Sequence, residues 1–395
     1  MSCSVKEYVF TQPKCLIFKL FHCNFRPCFV HGLRTKASSS FSNSYQRDHG
    51  EKTRGEKEGQ EGILYLHKSK GQHLLTNPRV LDTIVQKSAI RPTDTVLEIG
   101  PGTGNLTTRL LEVARKVVAV EIDRRMVDVL HRRVSERGLQ DRLSVVCEDA
   151  LKAKFPQFDL VVANIPYGIS SPLIAKLVYG VNSFRSATLL LQKEFARRLL
   201  AKPGDSEFNR LAANVKLVAE VEFVMNVSKR DFVPCPKVDS SVIKIHPKAE
   251  IPIVNLDEWA GFTRTCFSKK NKTLGATFKQ KKKIIELLGL SKMKGSSNSE
   301  CIASTSYYDR HHDESDEEES DVEDRFSSSG FNSELKLFKE KILQILEANG
   351  YSDKRPSKLS NDEFLNLLSL FNEEGIHFHD YTKPRKIQTV DLAAA

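Results

Sequence analysis

The sequence lacks long hydrophobic runs: its longest uninterrupted apolar stretches fall far short of the roughly 18 to 20 residues that a membrane-spanning helix needs. We therefore expect no membrane segment and no membrane partner. A secretory signal is also missing, because Lys19, His22, Asn24 and Arg26 interrupt the apolar residues near the amino terminus. With 40% hydrophobic residues over 395 positions, the chain is still long enough and apolar enough to bury a core and form two or more domains.

Paired cysteines are lacking as well. The eight cysteines are scattered, none forms a C-x-x-C pair, and no histidine lies near them at the spacing of a metal site. This pattern excludes a disulfide framework and a zinc site, and it is typical of reduced thiols in an intracellular protein. We expect no bound metal.

Acidic residues are almost absent from residues 1–46, which carry six Lys or Arg against Glu7 alone and end in a serine-rich stretch. This composition is typical of an organellar presequence, with a disordered basic tail as the alternative. The Arg and Phe content favours the mitochondrion over the chloroplast. Residues 47–65 are polar and predict a linker.

Charge is unevenly distributed along the chain. The formal net charge is +10 although residues 313–324 alone hold nine acids in twelve positions, so the remainder is more basic still. A basic surface of this size favours a polyanionic partner, nucleic acid first, and non-specific solvated charge is the alternative.

Short aliphatic runs alternate with amphipathic segments of helix length between about residues 66 and 250. Such alternation predicts a doubly wound α/β domain with a mainly parallel sheet, whose strands are buried on both faces. The runs with strand character are 95–99, 116–122, 143–146, 159–164 and 187–192, and 220–227 with 240–247 predict an antiparallel pair that closes the sheet.

The rest of the chain is divided by composition. Residues 251–290 predict a small helical domain, and 291–333 are rich in Ser, Asp and Glu and predict a disordered spacer. Residues 334–380 predict two short helices, the second with capping-box spacing from Ser360 to Glu363, before a tail at 381–395.

The first predicted strand leads into the glycine-rich segment EIGPGTGNLT. Gly100, Gly102 and Gly104 allow a tight turn that brings backbone N–H groups against a ligand at a helix N-terminus. The dinucleotide fingerprint would need glycine at position 105, where Asn105 stands, so the loop suits S-adenosylmethionine better than a nicotinamide cofactor. A purely structural turn is the alternative.

Acidic residues follow the next two strands. Glu121 lies about twenty residues after the glycine loop, where a carboxylate can accept both ribose hydroxyls of an adenosine; either cofactor would use it, and a solvated strand-end charge is the alternative. Asp149 can receive the exocyclic amine of the cofactor's adenine, although such an Asp is more often a helix cap.

The fourth strand ends in Asn164-Ile165-Pro166-Tyr167. This corner predicts a site in which an aromatic amine acts as the nucleophile. The lone pair of such an amine is delocalised into its ring. The Asn164 side-chain oxygen and the Ile165 carbonyl can hold the amine hydrogens and favour the pyramidal geometry that frees the lone pair. Pro166 fixes the corner and Tyr167 offers a face for stacking, so positioning would provide most of the catalysis.

These motifs, together with KSKGQHLLTNP, QKEFARRL, FVPCPKVDSSV and FSKKNKTL, resemble the rRNA adenine N6,N6-dimethyltransferase family over roughly residues 68–283. The resemblance implies a Rossmann-like class I methyltransferase with a seven-stranded sheet. It implies S-adenosylmethionine contacts at His73, Leu75, Gly100, Gly102, Glu121, Asp149 and Asn164. It also suggests Phe232 as a second ring opposite Tyr167, with a place in the core as the alternative.

Members of this family dimethylate two adjacent adenosines in a hairpin near the 3′ end of small-subunit rRNA. The carboxyl-terminal segment resembles the nucleolar branch, whereas the basic amino terminus suggests an organelle, so mitochondrial rRNA is the expected substrate and chloroplast or nucleolar rRNA the alternative. We expect a monomer. RNA contacts are expected within residues 264–283, which have eight Lys or Arg and no acid, with Phe267 and Phe278 interleaved, and specifically at Arg264, Lys269, Lys270 and Lys272.

Two rival functions follow from the same sequence. One is a ribosome-assembly or organellar transcription factor of the same fold that binds nucleic acid without catalysis. The other is an oxidoreductase with a nicotinamide cofactor, against which Asn105 and the corner at Asn164 both count. The basic segment 264–283 is also compatible with a merely solvated helix face.

Overall fold

The computed structural model of the protein describes residues 72–295 and 329–380. The predicted presequence (1–46), the linker (47–65), the acidic run (313–324) and the tail (381–395) lie outside the described residues. The described residues belong to one compact unit.

A seven-stranded sheet and a two-stranded ribbon contain the strands of the described chain. The strands are β1 Leu74–Leu75, β2 Thr95–Ile99, β3 Lys116–Val120, β4 Leu143–Val146, β5 Leu160–Asn164, β6 Ser186–Gln192, β7 Ala219–Val227, β8 Phe232–Val233 and β9 Ser240–Pro247. The sheet order is β4-β3-β2-β5-β6-β9-β7, and the ribbon pairs β1 with β8. Strands β2 to β6 run parallel, whereas β9 is antiparallel to both β6 and β7. The predicted Rossmann-like class and its closing antiparallel pair are confirmed.

Helices lie between these strands along the chain, and further helices come after the last strand. They are α1 Pro78–Ser88, α2 Thr107–Val113, α3 Arg124–Ser135, α4 Ser170–Tyr179, α5 Lys193–Leu200, α6 Arg210–Val218, α7 Leu256–Cys266, α8 Leu274–Phe278, α9 Lys281–Gly295, α10 Ser329–Ala348 and α11 Asn361–Glu373. Local signals set several of their ends. The side chains of Asn77 and Asp123 cap α1 and α3, and the predicted capping box of Ser360 and Glu363 is present at α11.

The two faces of the sheet are covered by different helices because successive strand residues point to opposite sides. Val96 belongs to the apolar cluster that contains the buried faces of α1, α2 and α3, and its neighbour Leu97 belongs to the other cluster. That second cluster continues without a break from α4 into α7 and the carboxyl-terminal helices, through Trp259, Phe262 and Phe364. The helices after β9 therefore share one core with the sheet.

The helices that flank the predicted acidic spacer extend further than the sequence indicated. Helix α9 continues to Gly295 and α10 begins at Ser329, so both reach into the segment 291–333 that composition assigned to disorder. An ion pair between Lys292 and Glu334, 2.6 Å apart, links these two helices. Of the helices in the described ranges, none combines the length and apolar character needed to cross a bilayer.

Candidate functional site

A cavity of about 360 Å³ lies at the carboxyl edge of the sheet, where the ends of β2, β3 and β5 meet. This position is where open α/β sheets bind ligands, and the volume lies within the range of about 300 to 1,000 Å³ seen for small-molecule sites. The lining includes most of the residues predicted from sequence: His73, Leu75, Gly100, Gly102, Glu121, Asn164, Ile165, Pro166 and Tyr167.

The glycine loop after β2 has a backbone that needs glycine. Gly100, Gly102 and Gly104 have φ values of +70°, +56° and +84°, a region that side chains with a Cβ rarely adopt. A Cβ on Gly102 would also lie 2.7 Å from the Leu74 side chain. The loop thus brings its backbone against the cavity, and the Gly102 N–H donates to Glu121 Oε2 at 3.1 Å.

Two carboxyl groups are buried below this loop. Glu121 is 8% exposed, and its second oxygen accepts the Asp123 N–H at 3.0 Å. Burial raises the pKa of Glu121 above its ordinary value. Each carboxylate oxygen has two lone pairs, so Glu121 can still accept the hydroxyls of a ribose. The geometry of Glu121 is therefore compatible with its predicted role, which is to bind the ribose of a nucleoside.

Glu98, the second carboxyl group, was not singled out from sequence. It lines the cavity at 1% exposure, and its Oε2 has no hydrogen-bond partner within the described residues. Burial raises the pKa of Glu98 to about 8, and the nearby charge of Glu121 acts in the same direction. The group therefore favours its neutral form in the fold near neutral pH. Its strand-end position before the first glycine was the available signal.

Residues 72–77, which contain β1, close over the cavity and bind to each wall of it. Gln72 Nε2 donates to Asp123 Oδ2 at 2.8 Å, and the Leu75 carbonyl accepts from Asn105 Nδ2 at 2.8 Å. Asn105 is the residue that replaces the third glycine of a dinucleotide fingerprint. Its side chain uses that position to hold the closing segment, a role that sequence alone did not indicate.

The corner after β5 is oriented by the same segment. Asn164 Nδ2 donates to the His73 carbonyl oxygen at 3.2 Å, which leaves the side-chain oxygen with no hydrogen bond inside the described part of the chain. Pro166 packs against the glycine loop, since a Cβ on Gly100 would lie 3.4 Å from its Cδ. The loop and the corner therefore approach each other closely.

Tyr167 is held at both its ring and its hydroxyl. Its ring stacks on that of His73 with centroids 6.2 Å apart and planes inclined by 24°. The hydroxyl and Ser240 Oγ share a hydrogen bond of 2.7 Å, in which either oxygen can donate. Ser240, at the start of β9, is fully buried and was not recognised from sequence. Burial raises the pKa of Tyr167, so the phenol stays protonated at neutral pH.

Two predicted residues do not line the cavity. Phe232 is 3% exposed and belongs to the apolar cluster of α1, α2 and α3, where β8 pairs it with Leu75. Its ring would have to become exposed to stack on a base. Asp149 is half-buried, and its Oδ1 accepts the Leu151 N–H at 2.9 Å within a turn, so it does not cap a helix, which was the alternative for this residue.

Of the four predicted RNA contacts, Arg264 lies in the last turn of α7, and Lys269, Lys270 and Lys272 lie between α7 and α8. Arg264, Lys269, Lys270 and Lys272 are all exposed. The aromatic residues interleaved with them are not available for stacking, because Phe278 is completely buried and Phe267 packs on Phe208 and Phe364. The sequence pattern did not distinguish core rings from surface rings here. The side chains of the described residues form no cluster of His, Cys, Asp and Glu that could hold a metal ion.

Known proteins are similar to this chain in both sequence and fold. A family model described as ribosomal RNA adenine dimethylase matches residues 63–309. An Arabidopsis thaliana protein named ribosomal RNA small subunit methyltransferase, mitochondrial, is 61% identical over 86% of each chain. A probable dimethyladenosine transferase of Drosophila melanogaster is 44% identical over 81% of this chain and 94% of that protein. The crystal structure of a dimethyladenosine transferase from Plasmodium falciparum is 40% identical with a TM-score of 0.64, covering 77% of this chain and 99% of that one.

Proposed function

Because the chain belongs to the ribosomal RNA adenine dimethylase family, we propose that it dimethylates two adjacent adenosines in the 3′-terminal hairpin of mitochondrial small-subunit rRNA. The family is one of S-adenosylmethionine-dependent rRNA adenine dimethyltransferases, and this chain is such an enzyme. The proposal adds the compartment, the hairpin and the roles of individual residues. The orientation of Asn164 is the observation that carries the proposed chemistry.

The cavity offers what the methyl donor needs. Glu121 would accept the ribose hydroxyls, and the backbone of the loop at Gly100 and Gly102 would face the methionine part. His73 and Leu75 would close the cavity from the side of the segment 72–77. Asp149 remains our choice for the amine of the donor's adenine. S-adenosylmethionine supplies, when bound, an electrophilic methyl group on its sulfonium.

The target amine would be held by two acceptors at the corner. The Asn164 side-chain oxygen is turned away from the His73 carbonyl because Asn164 Nδ2 occupies that contact. It can therefore accept one amine hydrogen while the Ile165 carbonyl accepts the other. These two bonds keep the nitrogen lone pair out of conjugation and available for attack. Positioning of this kind requires no strong base in the site.

The base itself would stack on Tyr167. Because the Ser240 hydroxyl and the His73 ring both hold the tyrosine, its ring presents a fixed face to an adenine that has left its RNA stack. Each transfer breaks the bond from the methyl group to the sulfonium, leaves S-adenosylhomocysteine, and releases one proton from the methylated nitrogen to solvent. After the first transfer the amine therefore carries a methyl group and one hydrogen, so one acceptor is enough for the second transfer. The same face must admit the monomethylated base. Phe232 stays our prediction for the opposite face.

Mitochondrial placement rests on two features. The first 46 residues carry six cationic side chains and one acid, as expected for a presequence, and the Arabidopsis relative is named mitochondrial. We take the enzyme to act as a monomer on RNA, since one chain supplies both the donor side and the acceptor side of the cavity. Exposed cations at the end of α7 and in the segment that follows it would contact the RNA backbone through Arg264, Lys269, Lys270 and Lys272.

Primer extension across the 3′ hairpin of mitochondrial and cytosolic small-subunit rRNA tests this proposal. Dimethyladenine blocks the polymerase, so cells that lack the protein should lose the stop on mitochondrial rRNA and keep it on cytosolic rRNA. Loss of the cytosolic stop alone would assign the enzyme to the nucleolus. Two unchanged stops would contradict the proposed substrate.

A ribosome-assembly role that does not depend on methylation is the second candidate. It predicts that a methylation-deficient Asn164→Ala protein restores mitochondrial small-subunit assembly in the same cells. The intact donor and acceptor sides of the cavity favour catalysis, and an assembly role is compatible with it.

A further inference from the structure

Two connections emerge at the carboxyl edge of the sheet beside Tyr167. Strand β6 ends at Gln192 and β9 begins at Ser240, and these two residues face each other in the sheet. Strand β7 ends at Val227, which faces Ser240 from the other side. The connection after β6 and the connection from β7 to β9 therefore lie beside Tyr167, whose hydroxyl is held by Ser240.

The turn formed by residues 228–239 has a fixed backbone. Ser228 and Asp231 form a capping box around its first residues. Asp239 accepts the Lys229 N–H on its carboxylate at 2.9 Å, and its carbonyl accepts the Lys193 N–H at 3.0 Å. Asp239 therefore links Lys229 at the start of this turn to Lys193 at the start of α5.

The same turn is bonded to the segment that closes the cavity. The Asp231 carbonyl accepts the Thr76 N–H at 2.9 Å, and the Asp231 side chain accepts from Asn77 Nδ2 at 2.8 Å. The His73 ring nitrogen Nδ1 and the Pro234 carbonyl are 2.7 Å apart. The turn is thus bonded to the segment 72–77 and is not an independent loop.

This turn carries cations that have no partner of their own in the described structure. Lys229, Arg230 and Lys237 are exposed, and no side-chain hydrogen bond or ion pair holds any of them within the described ranges. The two acids of the turn, Asp231 and Asp239, both accept backbone N–H groups and so serve the turn itself. We call Lys229, Arg230 and Lys237 the mouth cations.

We propose that the mouth cations bind the RNA phosphates on either side of the adenosine being methylated. When a base lies inside the cavity, the two phosphates that flank its nucleotide lie at the entrance. Their distance from Tyr167 is then no more than the length of one nucleotide. Holding a nucleotide out of its stack costs a few kcal/mol, and backbone contacts at the entrance offset this cost. The inference deepens the proposed function, on which it rests, and is separate from the exposed residues between α7 and α8.

The test replaces the mouth cations in the full-length protein by Lys229→Ala, Arg230→Ala and Lys237→Ala together. Lys193 is left in place because it is only half-exposed and is followed by the exposed acid Glu194. The matched control is Lys87→Ala, Arg91→Ala and Lys116→Ala, which removes the same charge near the amino ends of β2 and β3. Binding to a synthetic hairpin with two adjacent adenosines in its loop is measured between about 50 and 200 mM salt.

Each phosphate contact contributes about 0.7 to 0.9 to the slope of log K against log salt. The mouth variant should therefore have a slope shallower by about 2 and a Kd raised about tenfold or more at the low-salt end. The control variant should match the wild type. Calorimetry should show unchanged S-adenosylmethionine binding for both, which establishes that they are folded. If the triple variant loses donor binding, single Gln substitutions carry the same test, each with a slope change of about 0.7.

A mouth variant that binds like the control would overturn the proposal. So would a loss of affinity that appears only after replacement of Lys269, Lys270 and Lys272, because the helical surface would then hold the RNA. Failure of the proposed function looks different: the wild type would bind the hairpin and leave it unmethylated, whereas the role of the mouth cations is measured by binding alone.

Discussion

Asn164 and His73 are joined by a hydrogen bond of 3.2 Å from the side-chain amide of one to the carbonyl oxygen of the other, across 91 positions of sequence. This bond fixes which end of the amide faces the cavity. Because Nδ2 is used by the His73 carbonyl, the side-chain oxygen is left for the incoming amine in the proposed function. The segment 72–77 therefore orients the side chain that we propose to be catalytic, in addition to covering the proposed donor site.

Replacing Asn164 by Asp tests this orientation. The carboxylate has no N–H to donate to His73, and its charge would face the carbonyl oxygen at close range. We expect the rate of methyl transfer to fall by about 10²-fold or more, as for loss of one positioned hydrogen-bonding group in other enzymes. Single-turnover transfer to the hairpin RNA measures it. Asn182→Asp, which changes an amide bonded to the carbonyls of Phe155 and Pro156, is the control and should retain full activity.

The bond between Tyr167 and Ser240 should be visible in a double-mutant cycle. Tyr167→Phe and Ser240→Ala each remove it, so we expect each to lower kcat by about three- to tenfold, for a net hydrogen bond of about 1 kcal/mol, and the double variant to lose little more. The proportion of monomethyladenosine should rise, since the second transfer has one amine hydrogen left for positioning.

Ser241→Ala is the matched control for this cycle. Ser241 is also buried, but its hydroxyl donates to Asn226 at 2.9 Å and does not reach Tyr167. Strictly additive losses, or an equal product ratio for Ser240→Ala and Ser241→Ala, would show that the bond to Tyr167 has no part in positioning the base.

The buried carboxyl of Glu98 should make stability depend on pH. Its pKa of about 8 in the fold lies above the ordinary value of 4.5. The group therefore favours the folded state fully below about pH 4.5, and this contribution is lost as the pH rises through 8, with an upper limit of about 5 kcal/mol.

Glu98→Gln keeps the shape of the side chain and removes the titration. We expect its Tm to exceed that of the wild type at pH 8 to 9 and to approach it near pH 5. Thermal unfolding over this range provides the measurement, with Glu220→Gln at an exposed position of β7 as the control. Parallel pH profiles for wild type and Glu98→Gln would exclude a raised pKa at this site.

The compartment can be tested by changing only the amino-terminal segment of the full chain. A fluorescent fusion of the full chain should enter mitochondria, and deletion of residues 1–46 should leave it outside. Changing the six Lys and Arg of this segment to Gln should have the same effect, because import depends on their charge. Import of the deleted protein would refute a presequence in this segment.

Local patterns were sufficient to predict most of the sheet and the glycine loop. Strand β2 and the positive φ values at Gly100, Gly102 and Gly104 follow from a short aliphatic run and residues with a known backbone preference. The closing pair of β7 and β9 was also predictable from composition and order.

Contacts between distant segments could not be predicted in the same way. Strands β1 and β8 have two residues each, and their pairing brings Leu75 next to Phe232 from distant parts of the sequence. No periodicity exists in so short a strand. The bond of Ser240 to Tyr167, and the Glu98 Oε2 that has no hydrogen bond within the described residues, likewise depend on how the segments meet in space. Phe278 lies among lysines in the sequence, as an exposed ring would, but it is buried against α11.

The most direct measurement of the central claim compares wild type and Asn164→Ala on the hairpin RNA, with nucleosides resolved by mass spectrometry and S-adenosylmethionine binding measured in parallel. We predict N6,N6-dimethyladenosine at two adjacent positions with the wild type, and none with Asn164→Ala although the donor still binds. Dimethyladenosine formed by Asn164→Ala at the wild-type rate would contradict the account, because the amine would then be held by something other than this corner.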